Sequence, residues 1–221
     1  MRADPPAPDR ANLAKLGEQV RRRLAADPSV YKIPVEGADL YAVGGFLDDG
    51  ECAKLIGMID AVARPSQTFD YQGGAYRTSY SGDVDTHDSF VRMIERRLSD
   101  LLGIPPAWGE TFQGQRYLPE QEFREHHDWF DTTAFYWPAE KKRGGQRSWT
   151  AMAWLNAVEE GGETAFPRLG ISIPPQPGAL LIWNNVCPDG SVNPQTLHAA
   201  LPVKRGVKHV VTKWFRTRPW T

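Results

Sequence analysis

The spacing of apolar residues predicts an amphipathic helix near the start of the chain. Leu13, Leu16, Val20 and Leu24 recur at helical intervals, and three arginines at 21–23 fall at the end of that stretch, where positive charge complements the helix dipole. We interpret the arginines as a solvated helix end rather than a nucleic-acid patch. The pattern therefore indicates a surface helix.

Two further helices are predicted from local start and stop signals. Asp48 and Glu51 have the spacing of a capping box, and the apolar positions that follow at helical intervals are Cys52, Leu55, Ile56 and Ile59. A third helix is expected to begin near Asp88 and to stop at Gly103, ahead of two prolines. Its predicted inward residues are Phe90, Ile94, Leu98 and Leu101. These helices would support a sheet.

From Glu110 onward the pattern changes to short apolar or alternating runs separated by Gly and Pro, which favour antiparallel strands. We predict strands at 110–117, 149–156, 163–166, 178–184 and 207–216. There is no internal repeat and no linker.

This pattern predicts one domain over 11–221. Within it, 11–103 would form the helical support and 107–217 the β core, after a proline-rich, disordered lead at 1–10.

Composition narrows the class of protein without identifying it. A chain of 221 residues with 41% hydrophobic content can bury one sizeable core, and a net charge of −1 argues against bulk attraction to nucleic acid or to an anionic membrane. No apolar run approaches the ~20 residues of a membrane span, and the first thirty residues lack a signal-peptide core. Two cysteines suit a reducing compartment. We expect a bacterial cytoplasmic protein without a nucleic-acid or membrane partner.

A His-x-Asp pair and a distant His form the strongest candidate for chemistry. His126, Asp128 and His198 can present two imidazoles and one carboxylate to Fe(II) and leave coordination positions open for a 2-oxo acid and dioxygen. Lys208, ten residues after His198, is expected to pair with the far carboxylate of 2-oxoglutarate, because an unpaired buried lysine is costly. These residues predict an oxygenase site.

The other histidines are weaker candidates for a metal. His127 is adjacent to Asp128 instead of two residues away, and alternation along a strand would turn it to the opposite face from 126 and 128. His87 and His209 have no comparable partners. We interpret all three as outside the metal site.

The neighbouring motifs resemble those of prolyl 4-hydroxylase catalytic domains. The similar segments, in chain order, are 46–52, 77–79, 116–119, 121–123, 126–130, 154–167, 175–184, 198–208 and 213–214. Among them are the sequences RYLP, HHD and GGETAFP. The resemblance covers roughly 40–216 and is specific because the motifs occur together in one order.

This resemblance implies a mainly β, α+β fold with a double-stranded β-helix, or jelly-roll, core and helices at its N-terminal side. It implies a dioxygenase that uses Fe(II), 2-oxoglutarate and dioxygen to hydroxylate an unactivated C–H bond, with ascorbate as a plausible rescuer of oxidised iron. Lys208, Tyr117 and Thr164 would hold the carboxylate of 2-oxoglutarate, and Trp214 matches a late Trp of the family. Tyr117 and Thr164 also suit a core tyrosine and a strand threonine, and Trp214 would pack well in any sheet.

Four residues correspond to positions that line the peptide groove in similar enzymes: Arg77, Ser79, Glu110 and Arg147. Two departures concern the same groove. Phe123 stands where peptide-hydroxylating relatives often have Tyr, and Arg216 stands where they often have His. The segment 131–148 is too long for a tight turn and is expected to form a loop, and possible lid, beside the iron.

The substrate expected from this resemblance is a prolyl residue in a peptide or protein. An alternative keeps the chemistry and takes a free amino acid or a natural-product intermediate; an open groove would favour the former and a small closed pocket the latter. A more remote alternative is a non-catalytic jelly-roll binding module.

Overall fold

A computed structural model describes residues 9–66 and 76–221, and structural statements below refer to these residues. The helices are α1 (Arg10–Ala26), α2 (Asp49–Val62), α3 (Ser89–Leu102) and α4 (Trp137–Lys142). The strands are β1 (Val30–Lys32), β2 (Leu40–Val43), β3 (Arg64–Pro65), β4 (Tyr80–Asp83), β5 (Gln113–Tyr117), β6 (Phe123–His126), β7 (Arg147–Trp154), β8 (Glu160–Gly161), β9 (Thr164–Phe166), β10 (Ile171–Ile173), β11 (Leu180–Asn184), β12 (His198–Ala200), β13 (Val203–Arg205) and β14 (Lys208–Arg216).

The strands form a large antiparallel sheet that faces a smaller one. The main sheet has the order β1-β2-β11-β7-β14-β5-β4-β3, the second sheet the order β10-β9-β12-β6, and β13 pairs with β8. Neighbours in the sheets are often far apart in sequence, as expected of a jelly roll. The predicted fold class, mainly β with a jelly-roll core and N-terminal helices, is confirmed.

Alternation along the central strands separates two cores. On β7, Trp149, Ala151 and Ala153 belong to the core under the helices, whereas Met152 and Trp154 belong to the core between the sheets. The first core also contains buried residues from α1, α2 and α3. The helices therefore cover the outer face of the main sheet and leave its inner face to the second sheet, where the polar candidates lie.

The local helix signals are confirmed in α2 and α3. The Asp48 side chain accepts a hydrogen bond from the backbone N–H of Glu51, and the Glu51 side chain accepts one from Asp48 N–H, which completes the capping box. Asp88 caps the start of α3, and Gly103 ends it in a left-handed conformation at φ 68°.

The four residues predicted to point inward from α3 all contact the core under the helices, but they do not make up its whole buried face. Ile94 and Leu98 are buried as predicted, but Val91 and Leu102 complete the buried face. Phe90 and Leu101 are only partly buried, and the Phe90 ring packs beneath the ammonium group of Lys54. The physical reason is the 100° turn per residue, which centres the buried stripe near Val91 and Leu98 and places Phe90 and Leu101 together on one of its flanks.

Four of the five predicted strands begin one to three residues later than expected, β7 begins and ends two residues earlier than expected, and several short strands were missed. β4, β6 and β8 are two to four residues long and mainly polar, so they carry too little alternation to be recognised from sequence. Four of the strands, β1 to β4, fall inside the part predicted as helical support and join the main sheet.

The predicted disordered lead falls mostly outside the described residues. Residues 1–8 are not described, so the prediction stays a prediction for them, while Arg10 already begins α1. None of the helices in the described part is both long enough and apolar enough to span a membrane.

Candidate metal centre

The three predicted ligands meet at one edge of the second sheet. His126 ends β6 and His198 begins β12, and antiparallel pairing sets these two residues opposite each other. Asp128 follows two residues after the end of β6, and its carboxylate oxygens lie 4.0 Å from His126 Nε2 and 3.7 Å from His198 Nε2. One donor atom from each residue lies within 4.8 Å of the others. The arrangement can hold a metal ion.

Backbone carbonyls orient both imidazoles. His126 Nδ1–H donates to the carbonyl oxygen of Arg124 at 2.7 Å, and His198 Nδ1–H donates to that of Thr196 at 2.9 Å. Each ring therefore directs the lone pair of Nε2 toward Asp128. Burial, reinforced by His198, lowers the pKa of His126 to about 3, so this imidazole is neutral near pH 7, as metal binding requires.

Asp128 supplies the negative charge of the cluster. Its side chain is 5% exposed, and burial alone would raise its pKa; His198, His126 and Arg147 nevertheless hold that pKa below its ordinary value. The carboxylate also accepts a hydrogen bond from Thr150 Oγ1 at 2.8 Å. One anionic oxygen ligand and two neutral nitrogen ligands suit Fe(II), and no thiol stands in the cluster among the described residues.

A pocket beside this cluster contains the residues predicted for 2-oxoglutarate. Lys208 begins β14 opposite Tyr117 on β5, and both side chains are buried. Burial lowers the pKa of Lys208 to about 7, and only Glu163 opposes this shift among the described residues. Thr164 Oγ1 is buried and has no hydrogen-bond partner in the described part of the chain. A bound carboxylate would satisfy both groups, so the pocket fits the predicted co-substrate.

Tyr117 brings a neighbouring polar residue into this pocket. Burial raises the pKa of Tyr117, so its hydroxyl stays protonated, and it donates to Gln115 Oε1 at 3.0 Å. Gln115 Nε2 donates to Thr212 Oγ1 at 3.1 Å. Sequence reasoning missed Gln115, although alternation along β5 puts it on the same face as Tyr117. Trp214 is 8% exposed and borders both this pocket and the adjoining cleft.

An open cleft with a volume of about 860 Å³ adjoins the metal cluster. Arg77 and Arg147 reach its wall, whereas Ser79 and Glu110 stand behind them. Ser79 Oγ accepts a hydrogen bond from Arg77 Nε at 2.9 Å, and Glu110 accepts two from Arg147, at 2.7 and 2.8 Å. Two of the four predicted groove residues thus face the cleft, and the other two hold them in place.

Phe123, the first departure from the family pattern, packs directly on the metal cluster. Its ring stacks on that of His126 with centroids 3.6 Å apart, and the guanidinium of Arg77 lies 4.8 Å from the Phe123 centroid. This position therefore contributes an apolar wall and no hydroxyl to the cleft.

Arg216, the second departure, is buried in an ion-pair network. It is 1% exposed and pairs with Glu110 at 2.7 Å and with Glu140 on α4. Glu110 also pairs with Arg147, so the positive charges of two arginines are balanced by the negative charges of two glutamates. Arg216 therefore connects β14 to α4.

The segment 131–148 lies beside the site, but it is not an open loop. It contains α4 and the start of β7, and Asp131 and Tyr136 border the cleft. The Gln146 side chain exchanges two hydrogen bonds with the backbone of Phe130, at 2.9 and 2.7 Å. Movement of this segment as a lid stays a prediction.

The remaining histidines lie apart from the cluster. His127 Nε2 is 3.3 Å from the carbonyl oxygen of Pro194 at the cleft wall. His209 pairs with Asp60 at 3.1 Å on the helix-covered side, and His87 is exposed. His127 is not among the residues whose donor atoms meet in the cluster, and because β6 already ends at His126, the strand alternation used to exclude it does not extend to this residue.

Residues 112–216 match the family model described as the 2OG-Fe(II) oxygenase superfamily. The chain is 33% identical over 201 residues to probable prolyl 4-hydroxylase 8 of Arabidopsis thaliana, covering 79% of this chain and 67% of that protein. It is 30% identical over 227 residues to probable prolyl 4-hydroxylase 3 of the same plant, covering 91% of this chain and 74% of that protein.

Solved structures give the same picture. The 2OG complex of the viral collagen prolyl hydroxylase vCPH from Paramecium Bursaria Chlorella virus-1 superposes with a TM-score of 0.64 at 28% identity, covering 80% of this chain and 95% of that one. A prolyl hydroxylase from Trichoplax adhaerens, in complex with a hypoxia inducible factor peptide fragment, gives 0.61 at 12% identity, covering 94% of this chain and 91% of that one. Because its identity to this chain is only 12%, the Trichoplax adhaerens structure supports the fold alone.

Proposed function

Because this chain belongs to the prolyl 4-hydroxylase family within the 2OG-Fe(II) oxygenase superfamily, we propose that it hydroxylates prolyl residues in a peptide or protein. It is a dioxygenase that depends on Fe(II) and 2-oxoglutarate. Family membership sets aside the non-catalytic binding module considered from the sequence. The substrate is the part of the function that needs a separate argument.

Different side chains would bind the metal ion and the co-substrate. His126, Asp128 and His198 would hold Fe(II), and Lys208 with Thr164 would hold the far carboxylate of 2-oxoglutarate. When bound, Fe(II) and 2-oxoglutarate would supply the oxygen chemistry, in which one atom of dioxygen goes into succinate with release of carbon dioxide and the other becomes the hydroxyl of the product. The protein's own share in such cofactor-dependent chemistry is to hold the substrate C–H bond near the cluster.

The open cleft is the observation that carries the proposal of a peptide substrate. Its volume of about 860 Å³ exceeds what a free amino acid needs, and its walls carry Phe123, Trp129, Phe130 and Trp214. Extended proline-rich segments dock in aromatic-lined grooves of this kind. The named activity of the relatives agrees with such a substrate.

A free amino acid is the second candidate, and Arg77 favours it. The Arg77 guanidinium faces the cleft near the metal cluster, and no carboxylate pairs with it among the described residues. A substrate carboxylate would complete such a pair. The two candidates differ in whether a chain continues on both sides of the proline.

The test compares internal proline with free proline. The enzyme would be incubated with Fe(II), 2-oxoglutarate and ascorbate, the reductant implied by family resemblance, together with either a proline-rich peptide capped at both ends or free L-proline. We expect the peptide alone to raise succinate release above the uncoupled rate and to gain 16 Da at a prolyl residue. Turnover of free proline with no reaction of the capped peptide would contradict the peptide proposal.

A further inference from the structure

We propose that Thr150 and Asn185 form a positioning pair that fixes the carboxylate of Asp128 toward the two imidazoles before a metal binds. The inference rests on the proposed metal-binding role of His126, Asp128 and His198. Neither residue of the pair belongs to the motifs that predicted the site.

Asp128 needs such support because no strand orients it. β6 ends at His126, so the backbone at Asp128 is not held in a sheet ladder. Thr150, by contrast, lies in the middle of β7, is 0% exposed, and is paired through its backbone with both β11 and β14. The Thr150 hydroxyl therefore offers a rigid attachment point to a ligand on a less regular segment.

The direction of each hydrogen bond is determined by the chemistry of the groups. The ionised carboxylate of Asp128 can only accept, so the single hydroxyl hydrogen of Thr150 points to Asp128 Oδ2, at 2.8 Å. Asn185 Nδ2 donates to the same hydroxyl oxygen at 2.9 Å. With its oxygen accepting from Asn185, the Thr150 hydroxyl is held in the rotamer that serves Asp128.

Asn185 is itself anchored by the backbone on both sides. Its N–H donates to the carbonyl oxygen of Ser148 at 2.9 Å, and its carbonyl accepts from Asn193 N–H at 2.9 Å. The side chain is 1% exposed, so water does not compete for the amide. The hydrogen bonds of the positioning pair, a relay from Asn185 to Thr150 to Asp128, thus connect the end of β11 through β7 to the metal ligand.

The consequence is a carboxylate whose two oxygens are placed differently. Oδ2 is held by Thr150 and lies 3.7 Å from His198 Nε2, while Oδ1 faces His126 Nε2 and the guanidinium of Arg147, each at 4.0 Å. Removing a hydrogen-bond partner of a metal ligand typically weakens metal affinity by about 10–100-fold. We assign an effect of that size to Thr150.

The test measures Co(II) binding, because this ion does not need turnover and its visible absorption reports ligand geometry. Thr150→Val keeps the shape and removes the donor, and we expect it to weaken Co(II) affinity by about 10–100-fold and to change the absorption spectrum. Thr150→Ser restores a hydroxyl, so its Co(II) affinity and its absorption spectrum should be close to those of the unchanged protein.

Thr217→Val is the matched control. Thr217 is equally buried, at 2% exposed, and its hydroxyl donates to the carbonyl oxygen of Gly144 at 3.0 Å, away from the cluster. This variant should lose thermal stability without losing Co(II) affinity. Equal Co(II) affinity in Thr150→Val and the unchanged protein, or equal weakening by Thr217→Val, would overturn the proposal.

A second variant decides the matter if Thr150→Val does not fold. Asn185→Leu leaves the Thr150 hydroxyl in place but frees its rotation, so Co(II) affinity should fall by a smaller factor; full affinity in this variant would refute the relay. His198→Ala separates the two levels of inference. If His198→Ala binds Co(II) as tightly as the unchanged protein, then His198 is not a metal ligand and the proposed metal site is wrong. If His198→Ala loses Co(II) while Thr150→Val keeps full affinity, only the positioning pair is wrong.

Discussion

Lys208 carries its charge in a place where water cannot stabilise it. The side chain is 1% exposed, and burial lowers its pKa to about 7, so near neutral pH the ammonium and amine forms coexist. A bound carboxylate would favour the ammonium form and raise the pKa again. The charge of this lysine should therefore depend on whether 2-oxoglutarate is present.

The affinity for 2-oxoglutarate is expected to fall as pH rises above about 7. Below that pH Lys208 is already protonated, whereas above it binding must take up a proton, which costs about tenfold in affinity per pH unit. Titration calorimetry from pH 6 to 9, in buffers of different ionisation enthalpy, measures both the affinity and the proton uptake. Lys208→Arg stays charged and should lose this dependence; an equally flat profile in the unchanged protein would contradict the prediction.

The adjacent histidines should behave differently when each is removed. His126→Ala deletes an imidazole whose Nε2 faces Asp128, and we expect it to abolish metal binding and turnover. His127→Ala deletes a ring that meets the Pro194 carbonyl, and should retain most of both. Metal content of the purified variants and succinate release provide the measurement. If the two variants were equally inactive, the ligand assignment would be wrong.

The short helix α4 is joined to the main sheet by a buried ion pair, and the same glutamate also forms an exposed pair with Arg143 at the end of α4 itself. Arg216 on β14 is 1% exposed and contacts Glu140 near the middle of α4. Arg143, whose side chain is 53% exposed, also faces Glu140, at 3.8 Å. Removing one partner of a buried pair costs about 3–5 kcal/mol, whereas an exposed pair contributes about 0–1 kcal/mol. The arginine on β14 should therefore control how firmly α4 is attached.

Arg216→Met should release α4, and Arg143→Met should not. In hydrogen exchange, the α4 amides are expected to exchange much faster in the first variant, because Glu140 loses its buried partner, and to change little in the second. Release of α4 would also leave the segment 131–148 less firmly held beside the cleft, so uncoupled 2-oxoglutarate turnover should rise in Arg216→Met. Unchanged exchange in this variant would show that other contacts hold the helix.

The N-terminal helices and the sheets share one core, which supports a single domain over 11–221. Leu24 of α1 and Leu55 of α2 are each 1% exposed and pack in the cluster that also contains residues of β7 and β14. Strands β1 and β2 come from the N-terminal part and extend the main sheet. We propose that the helices and the jelly roll unfold together.

Core truncations in different parts of the chain should lower one common transition. Leu24→Ala, Leu55→Ala and Leu181→Ala each remove a fully buried side chain and should cost about 2–5 kcal/mol in the free energy of unfolding. Tyr31→Ala, at a side chain 62% exposed, is the control and should have little effect. Denaturant unfolding followed by circular dichroism and Trp fluorescence gives the measurement. Two separate transitions would contradict a single domain.

Sequence determined the features that depend on near neighbours or on the chemistry of a residue type. The capping box of Asp48 and Glu51 and the glycine stop at Gly103 arise within a few residues, so their positions were predictable. The set of two imidazoles, one carboxylate and a lysine was predictable because few other combinations suit Fe(II) and a dicarboxylate.

The tertiary structure alone decided which side chains support that set. Thr150 and Asn185 are 35 residues apart, Arg216 and Glu140 are 76 apart, and nothing in their local sequence marks them as partners. The short polar strands β4 and β6 were likewise invisible, since each is stabilised by strands distant in the chain. Contacts of this kind form only when antiparallel pairing brings remote strands into register, and the pattern of one strand does not say which remote strand it pairs with.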